Sequence, residues 1–518
     1  MAAISHSLKT ALENKGVDID MTITLLDRIN SGAFDNLAPV QMESLPHIDG
    51  STIIDAVDTL SLTIQYTRLQ EVLADYTIDT SDAPAVSEAI IEAEHSGSSD
   101  VHLNNNCLYE IGILLTPLTA YGVLNGGSAT SYCDTKKNRG FHAQVFDAVA
   151  TEFSSIAKQA AARPKGLTPA FINPDGSPGP SFLELKMRSL LLLAREYQRQ
   201  TGMGPEAAVG PVPAAPMFQM SSVFTHDELM QAYKEFKKSP LLSGLIAETG
   251  IDITSVLDAV QPLLAAFTHS EAGRPKAIFT SAYGKSNSPV AVPGGHGQNF
   301  QVLSDTYRSL YNSGKRFAYI GNVDNLGFTV DPPTLAYFAL SGRPAAFDFA
   351  FKTPVDVKGG VLVRQSDGSL TCGDIGPAVS KEDLAAAEKS GTPILFNAAT
   401  GLFRLDHLVE RLDDIINNLP VRISDQDKDP GRYSQAEQVT WEVIGMLDNP
   451  LILGISKYRR FLAAKLLIET MITSGRVPEE SFEGSAELKA EAQRLNAGLH
   501  ELLTDTYGLK LKDGKYQP

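Results

Sequence analysis

The sequence predicts an α/β fold, a mixed and largely parallel sheet flanked by helices, with helical regions toward both ends. Three textures predict it. From Leu108 onward, short apolar runs (ILLTPLTAYGVLNGG, KGLTPAFIN, PMFQMSS, KAIFTSA, FAYIGNVDNLG, KGGVLVRQ) alternate with helical patterns, which is how strand-helix-strand units read. Before them, residues 1–104 read as acidic amphipathic helices, 53–73 among them, with polar breaks such as 95–100. After about Gly401, helical periodicity returns in LDHLVERLDDIINNL, TWEVIGML and KYRRFLAAKLLIETMITSG. The expected division is a helical N-terminal region (1–104), a catalytic domain (105–400) and a mainly helical C-terminal region (401–518). No internal repeat or hexapeptide periodicity is present, so a C-terminal β-helix is not expected.

Composition narrows the function classes. The 518 residues are 43% hydrophobic and 20% charged, an ordinary globular balance. A net charge of −17 disfavours nonspecific binding to nucleic acid or anionic lipid, while leaving room for small anions wherever lysine and arginine gather. Cys107, Cys133 and Cys372 are too few and too scattered for a disulfide framework or zinc knuckle, and a reducing cytoplasm is expected. The opening MAAISHSLKTALENKGVDID lacks an apolar core after a basic flank, and no segment approaches about 18 uninterrupted apolar residues. A soluble, unexported protein is expected, with no membrane or nucleic-acid partner.

The most informative stretch is 315–331, KRFAYIGNVDNLGFTVD. An apolar strand ends there in Asn322, Asp324 and Asn325, and in open α/β sheets ligands bind at the carboxyl ends of strands. A carboxylate at such an end suits one Mg²⁺ ligand held against phosphates. In VLNGGSAT, Gly126 and Gly127 lack Cβ atoms, so a base or phosphate can approach the backbone. The glycine-rich PGGHG loop carries His296, a possible donor to phosphate or hydroxyl. Lys165, Lys352, Lys358 and Lys465 are candidate phosphate charges, with Arg459 and Arg460 either helping or facing solvent.

Taken in order, GHGQNFQVLSDTYRSLYNSGKRFAYIGNVDNLGFTVDP, FKTPVDVKGGVLV, FNAATGLFRL and RFLAAK resemble the eukaryotic-type UTP:glucose-1-phosphate uridylyltransferases, the UDP-sugar pyrophosphorylases. PMFQMSSVFTHDE joins them, and the resemblance runs from about Leu124 to Lys465. It implies a Rossmann-like, GT-A-like sheet of the nucleotide-diphosphosugar transferase type, with helices on both faces. It implies a nucleotide loop of Leu124, Asn125, Gly126 and Gly127, with Gly295 and His296 also at the nucleotide. Lys165 would bind triphosphate and Lys465 the reacting phosphates, and Asp324 would hold Mg²⁺. Gly297, Asn322, Lys358, Gly359, Gly360 and Asn397 would meet the sugar phosphate. The implied substrates are UTP and a sugar 1-phosphate, glucose 1-phosphate foremost. In-line attack on the α-phosphorus asks the protein only to position and neutralise anions.

The sequence departs from the family in three places. Where the family reads like LNGGLGTxMGCxGPKS, this chain has LNGGSATSYCDTKKNRG, with Ala129 for a glycine. Lys165 comes only after a helix-like stretch at 141–162, leaving Lys136, Lys137 and Arg139 as rivals for its role. Ser281, in FTSAYGKS, stands where the family's uracil-reading Gln is expected. FNAAT keeps Asn397 but has Ala399 and Thr400 in place of later amides. Two alternatives therefore stay open: an enzyme for N-acetylhexosamine or galactose 1-phosphate, and a nucleotide-sugar binder without turnover.

Overall fold

Ten strands, numbered in chain order, share one central sheet in this computed structural model, which describes residues 4–34, 40, 42–161, 163–203 and 216–518. They are β1 (Ile53–Ala56), β2 (Thr119–Leu124), β3 (Met217–Ser222), β4 (Leu257–Gln261), β5 (Phe317–Asn322), β6 (Ala345–Phe351), β7 (Gly360–Arg364), β8 (Leu370–Asp374), β9 (Leu395–Arg404) and β10 (Leu451–Ile455). The spatial order is β1-β10-β6-β9-β5-β2-β3-β4, with the β7–β8 hairpin branching from β9. All neighbours along that line are parallel except those of β9, which runs against β5 and β6.

The apolar runs are continuous because these strands are covered on both faces. β2 and β3 are buried along their whole length. Alternation within β2 and β5 separates two cores. Tyr121, Val123, Phe317 and Tyr319 join Leu108 and Ile111 of helix Asn105–Leu114 and Leu335 and Phe338 of helix Pro332–Ser341. Ala120, Ala318 and Ile320 face the other way, onto Tyr307 and Leu310 of helix Ser304–Asn312 and Leu408 and Leu412 of helix Leu405–Asn418. The predicted α/β class, with helices on both faces, is what the chain adopts.

Several sequence expectations give way for tertiary reasons. Residues 53–73 are not one helix: β1 is followed by strand Leu62–Gln65 and then helix Tyr66–Asp75. The helical propensity of 53–56 yields to pairing with β10, which buries Ile53 and Ile54. The sheet thus extends beyond 105–400 at both ends. The C-terminal region also carries β10 and strands Arg422–Lys428 and Gly431–Glu437 beside its helices. KYRRFLAAKLLIETMITSG is not continuous helix either; it is helix Lys457–Arg460, an irregular stretch over 461–466 and helix Leu467–Thr473. Its middle uses backbone groups elsewhere: Leu462 O accepts from Leu326 N at 2.9 Å, and Ala463 bridges to Asn325.

KGLTPAFIN and KAIFTSA contribute no strand to the central sheet. The helix expected over 141–162 is seen as Ala143–Ala160, with Ala162 outside the described residues. Beyond 478 the described residues form helices and the hairpin Lys510–Lys512/Lys515–Gln517, with no β-helix among them. No helix of the described residues is long and apolar enough to cross a membrane.

Candidate active site

Because β9 is antiparallel, its amino end lies at the same sheet edge as the carboxyl ends of β2 and β5. In register Asn322 faces Leu124, and Asn397 faces Phe349 of β6. A cavity of about 200 Å³ opens at this edge. Of the residues read from sequence, His296, Asn322, Asp324, Gly359, Gly360, Asn397 and Lys465 line it. Lys465 reaches it because the stretch 461–466 is not helical. Its Nζ donates to Lys358 O at 3.2 Å across the opening, and its N–H is held by Glu469 Oε2 at 2.7 Å. Lys358 lines an adjoining recess with Lys465.

Asn325 has a different task from its neighbour Asp324. It is fully buried, accepts from Gly327 N at 2.9 Å and donates to Arg460 O at 3.0 Å, so it fastens the turn to the C-terminal segment. Gly359 and Gly360 are required by close approach: a Cβ would lie 2.5 Å from the Phe396 ring in one case and 2.4 Å from Cys372 Sγ in the other.

The protonation of His296 follows from its partners. Its Nδ1 accepts from Thr440 N–H at 3.2 Å, while Thr440 Oγ1 donates to His296 O at 3.0 Å. Burial lowers its pKa to about 4, so the ring is neutral at pH 7. Its proton then sits on Nε2 as a hydrogen-bond donor. Gly295 (φ 83°) lets the loop fold onto Gln438, whose N and O bond Gly294 and Gly297 at 2.9 Å each.

The Leu124–Gly127 loop and Lys165 do not line the cavity but adjoin it. Asn125 is fully buried and turned into the sheet, donating to Gln219 Oε1 at 3.0 Å. Gly127 is exposed, and its O accepts from Lys165 N at 3.0 Å. Thus the insert after the loop returns Lys165 to it. The Lys165 ammonium donates to Ala464 O at 3.0 Å and lies 3.0 Å from the centre of the Tyr132 ring. Burial lowers its pKa to about 8, against the opposing pull of Asp324 and Glu469. Lys136 and Lys137 are exposed, and Lys137 Nζ donates to Ser131 at 2.9 Å. Ala129 is fully buried, its methyl taken into the core.

Ser281 is exposed, at the start of the short turn Ala282–Gly284, and does not line the cavity. The amide beside the Leu124–Gly127 loop is Gln261, at the end of β4. Its Nε2 donates to Gly295 O at 2.7 Å and Gln298 Oε1 at 2.8 Å, and its Oε1 would lie 3.2 Å from a Cβ on Gly126. Sequence reading passed it over because VQPLLAAF has the look of an ordinary strand.

Other charges prove structural. Arg460 is half-buried, bonding Asp348 at 2.8 Å and Thr334 at 2.6 Å, while exposed Arg459 pairs with Glu501 at 3.6 Å. Lys352 pairs with Glu388. Conversely, Arg422, Asp374, Trp441 and Cys372 line the cavity without having been singled out for it. Arg422 bonds Asp374 and takes Glu442 Oε1 through Nε (2.8 Å) and Nη2 (2.6 Å). Only tertiary pairing of its strand marks Arg422.

The donor set suits a divalent cation that arrives with phosphates. Among the described residues no group of three or more His, Cys, Asp or Glu could cage a metal, but Mg²⁺ is commonly held by one or two carboxylates plus substrate phosphates. Asp324 is a half-buried carboxylate of that kind, open to the cavity.

A mixed α/β sheet with a polar cavity at the carboxyl ends of its strands has the form of a ligand-binding open α/β fold. Comparison narrows this: residues 274–478 match the family model described as UTP--glucose-1-phosphate uridylyltransferase, so the resemblance read from the sequence holds over that stretch. A probable UTP--glucose-1-phosphate uridylyltransferase of Schizosaccharomyces pombe is 29% identical over 194 residues, 37% of this chain and 32% of that one. The chain spans about a third of the length of the curated relatives it matches. In fold it is similar to the UDP-glucose phosphorylase of Trypanosoma brucei (TM-score 0.53, 16% identity, covering 90% of this chain and 77% of that one). It is similar also to a mutant UDP-glucose pyrophosphorylase of Leishmania major in complex with UDP-glucose (TM-score 0.51, 17% identity, 91% and 79%).

Proposed function

We propose that this chain is a uridylyltransferase that forms a UDP-sugar and pyrophosphate from UTP and a sugar 1-phosphate, glucose 1-phosphate foremost. The observation that carries this reading is the convergence of Asp324, Asn322, Asn397, His296 and Lys465, from four separate segments, on one cavity beside a glycine-rich turn. In this reading UTP lies along Leu124–Gly127 with its base at Gln261. A sugar-phosphate oxygen bonds the α-phosphorus as the bond to the pyrophosphate oxygen breaks. Lys465 and Lys165 neutralise the anions, and neutral His296 donates from Nε2. Gly297, Lys358, Gly359 and Gly360 shape the sugar-phosphate side, and Gly295 the nucleotide side. Asp324 would hold a divalent cation, Mg²⁺, which when bound supplies further charge neutralisation between phosphate oxygens. Its three free cysteines suit a cytoplasmic setting.

The test is pyrophosphate release with UTP, Mg²⁺ and a panel of sugar 1-phosphates. Release with glucose 1-phosphate well above the rest is expected; preference for an N-acetylhexosamine or galactose 1-phosphate would replace the sugar. A second reading, binding without turnover, draws on the capping of Lys165 by Ala464 and Tyr132. UDP-glucose binding with no release on any substrate would favour it.

Two expected outcomes concern Lys165. Lys165→Met should lower kcat by about 100-fold, ~3 kcal/mol, the size of losing one preorganised donor, whereas Lys136→Met should stay within about twofold. Steady-state kinetics of both variants check this, and the reverse order would give the triphosphate role to the 136–139 cluster. The pH profile checks it independently. With its pKa at about 8, the Lys165 ammonium is present below that pH and lost above it. Wild-type kcat/KM should therefore fall as pH rises through about 8, and in Lys165→Arg the fall should move upward.

A further inference from the structure

Lys186 is a buried cation that the chemistry above does not use. It sits within helix Phe182–Thr201, between fully buried Leu185 and Met187, and is itself 1% exposed. Among the described residues its Nζ pairs with no carboxylate. It donates instead to two main-chain oxygens, Asn325 O at 2.7 Å and Phe328 O at 3.0 Å, and lies 4.9 Å from the centre of the Phe328 ring. Those oxygens belong to the turn directly after Asp324.

The same turn receives two more buried donors. Tyr121 OH donates to Phe328 O at 2.5 Å, and Tyr507 OH donates to Leu326 O at 2.6 Å. Two residues along the helix, Arg188 holds Tyr507 O at 2.6 Å. Side chains from β2, the helix and the C-terminal segment thus close a cage around the carbonyls of 325–328. Lys186 is its only charged member. Tyrosine hydroxyls satisfy buried carbonyls cheaply, while burying an ammonium without an ion-pair partner is costly. An apolar side chain of equal length would be the stabilising choice. Burial lowers the Lys186 pKa to about 7, and Asp324 is the anion that opposes this fall.

We propose that Lys186 is a positioning residue for Asp324: its ammonium holds the 325–328 turn and, through that turn, sets where the carboxylate stands at the mouth of the cavity. This rests on the role given to Asp324 above. A buried charge placed on the turn that carries a site carboxylate is the pattern of a site that gives up stability for geometry.

The experiment uses the full chain with Lys186→Met, which keeps the stem, and Lys186→Gln, which keeps one donor but no charge. Melting temperature, kcat, and KM for UTP and for the sugar 1-phosphate are measured for each. The expected result is a melting temperature equal to or above wild type, KM for UTP within about twofold, and kcat lower by about tenfold to a hundredfold in both variants, since small displacements of a reacting group cost that much. A kcat within twofold of wild type in either variant overturns the proposal. So does a kcat loss that comes with a large drop in melting temperature in both, which would make Lys186 a structural member of the cage. Asp324→Ala separates the two ideas. If Asp324→Ala is inactive while the Lys186 variants are normal, only this inference falls; if Asp324→Ala turns over normally, the reading of the site falls first.

Discussion

Asp324→Ala is expected to abolish turnover, with kcat down by at least about a thousandfold (~4 kcal/mol) and the fold intact. Asp324 stands two residues beyond β5, half-buried at the cavity. The turn that carries it is held by others: Asn325 to Arg460, Leu326 to Leu462 and Tyr507, and Phe328 to Tyr121 and Lys186. Truncation therefore removes a charge and leaves the scaffold. The melting temperature should change little, because among the described residues no hydrogen bond of the turn is made by this carboxylate. In the proposed reading Asp324 is the hard anionic ligand that the protein would offer a divalent ion, and the substitution removes it. Single-turnover kinetics at saturating UTP, Mg²⁺ and sugar phosphate are the measurement. Activity within about twofold of wild type would remove Asp324 from the metal site.

Lys465→Met should lower kcat by about 100-fold, ~3 kcal/mol, with the melting temperature nearly unchanged. The side chain is exposed, and its ammonium makes a single bond, to Lys358 O. What anchors the segment is main chain: Lys465 and Leu466 N–H groups donate to Glu469 at 2.7 Å each, and Leu467 N donates to Tyr132 O at 3.0 Å. Methionine keeps these bonds and the apolar stem. A point charge at the rim acts on anions as they react, so the loss should fall on kcat more than on KM for either substrate. Normal turnover at saturating substrates would make the segment scaffold alone. Steady-state kinetics and a thermal melt on one preparation decide it.

The α/β class, the strand 317–322 ending at Asn322 and Asp324, and the glycine loops at 126–127 and 293–297 were legible because each is a local pattern. An apolar run buried on both faces must stop where polar residues begin. The order of the motifs, each too weak alone, was enough to mark the resemblance that the family model matches over residues 274–478. Lys465 was also legible, although by resemblance, since its helix-like surroundings pointed to a solvated flank.

Other features were fixed only by long-range pairing. The periodicity of 53–73 is helical, yet four of its residues are a strand because β10, some four hundred positions away in the chain, offers a buried partner. The stretch 461–466 is unwound because its backbone bonds the Asp324 turn. Gln261 could not be told from an ordinary strand residue until β4 was laid beside β3, which carries its amide to the glycine turn. Nothing in their local sequence sets Arg422 or Lys186 apart from the chain's other charged residues. One is drawn into a cavity wall by Glu442 and Asp374, and the other into the core by two carbonyls. By itself the sequence determined which segments bury apolar surface and which residue types the site holds. Tertiary structure decided which of them meet, because the free energy of a buried polar group depends on partners that arrive from distant parts of the chain.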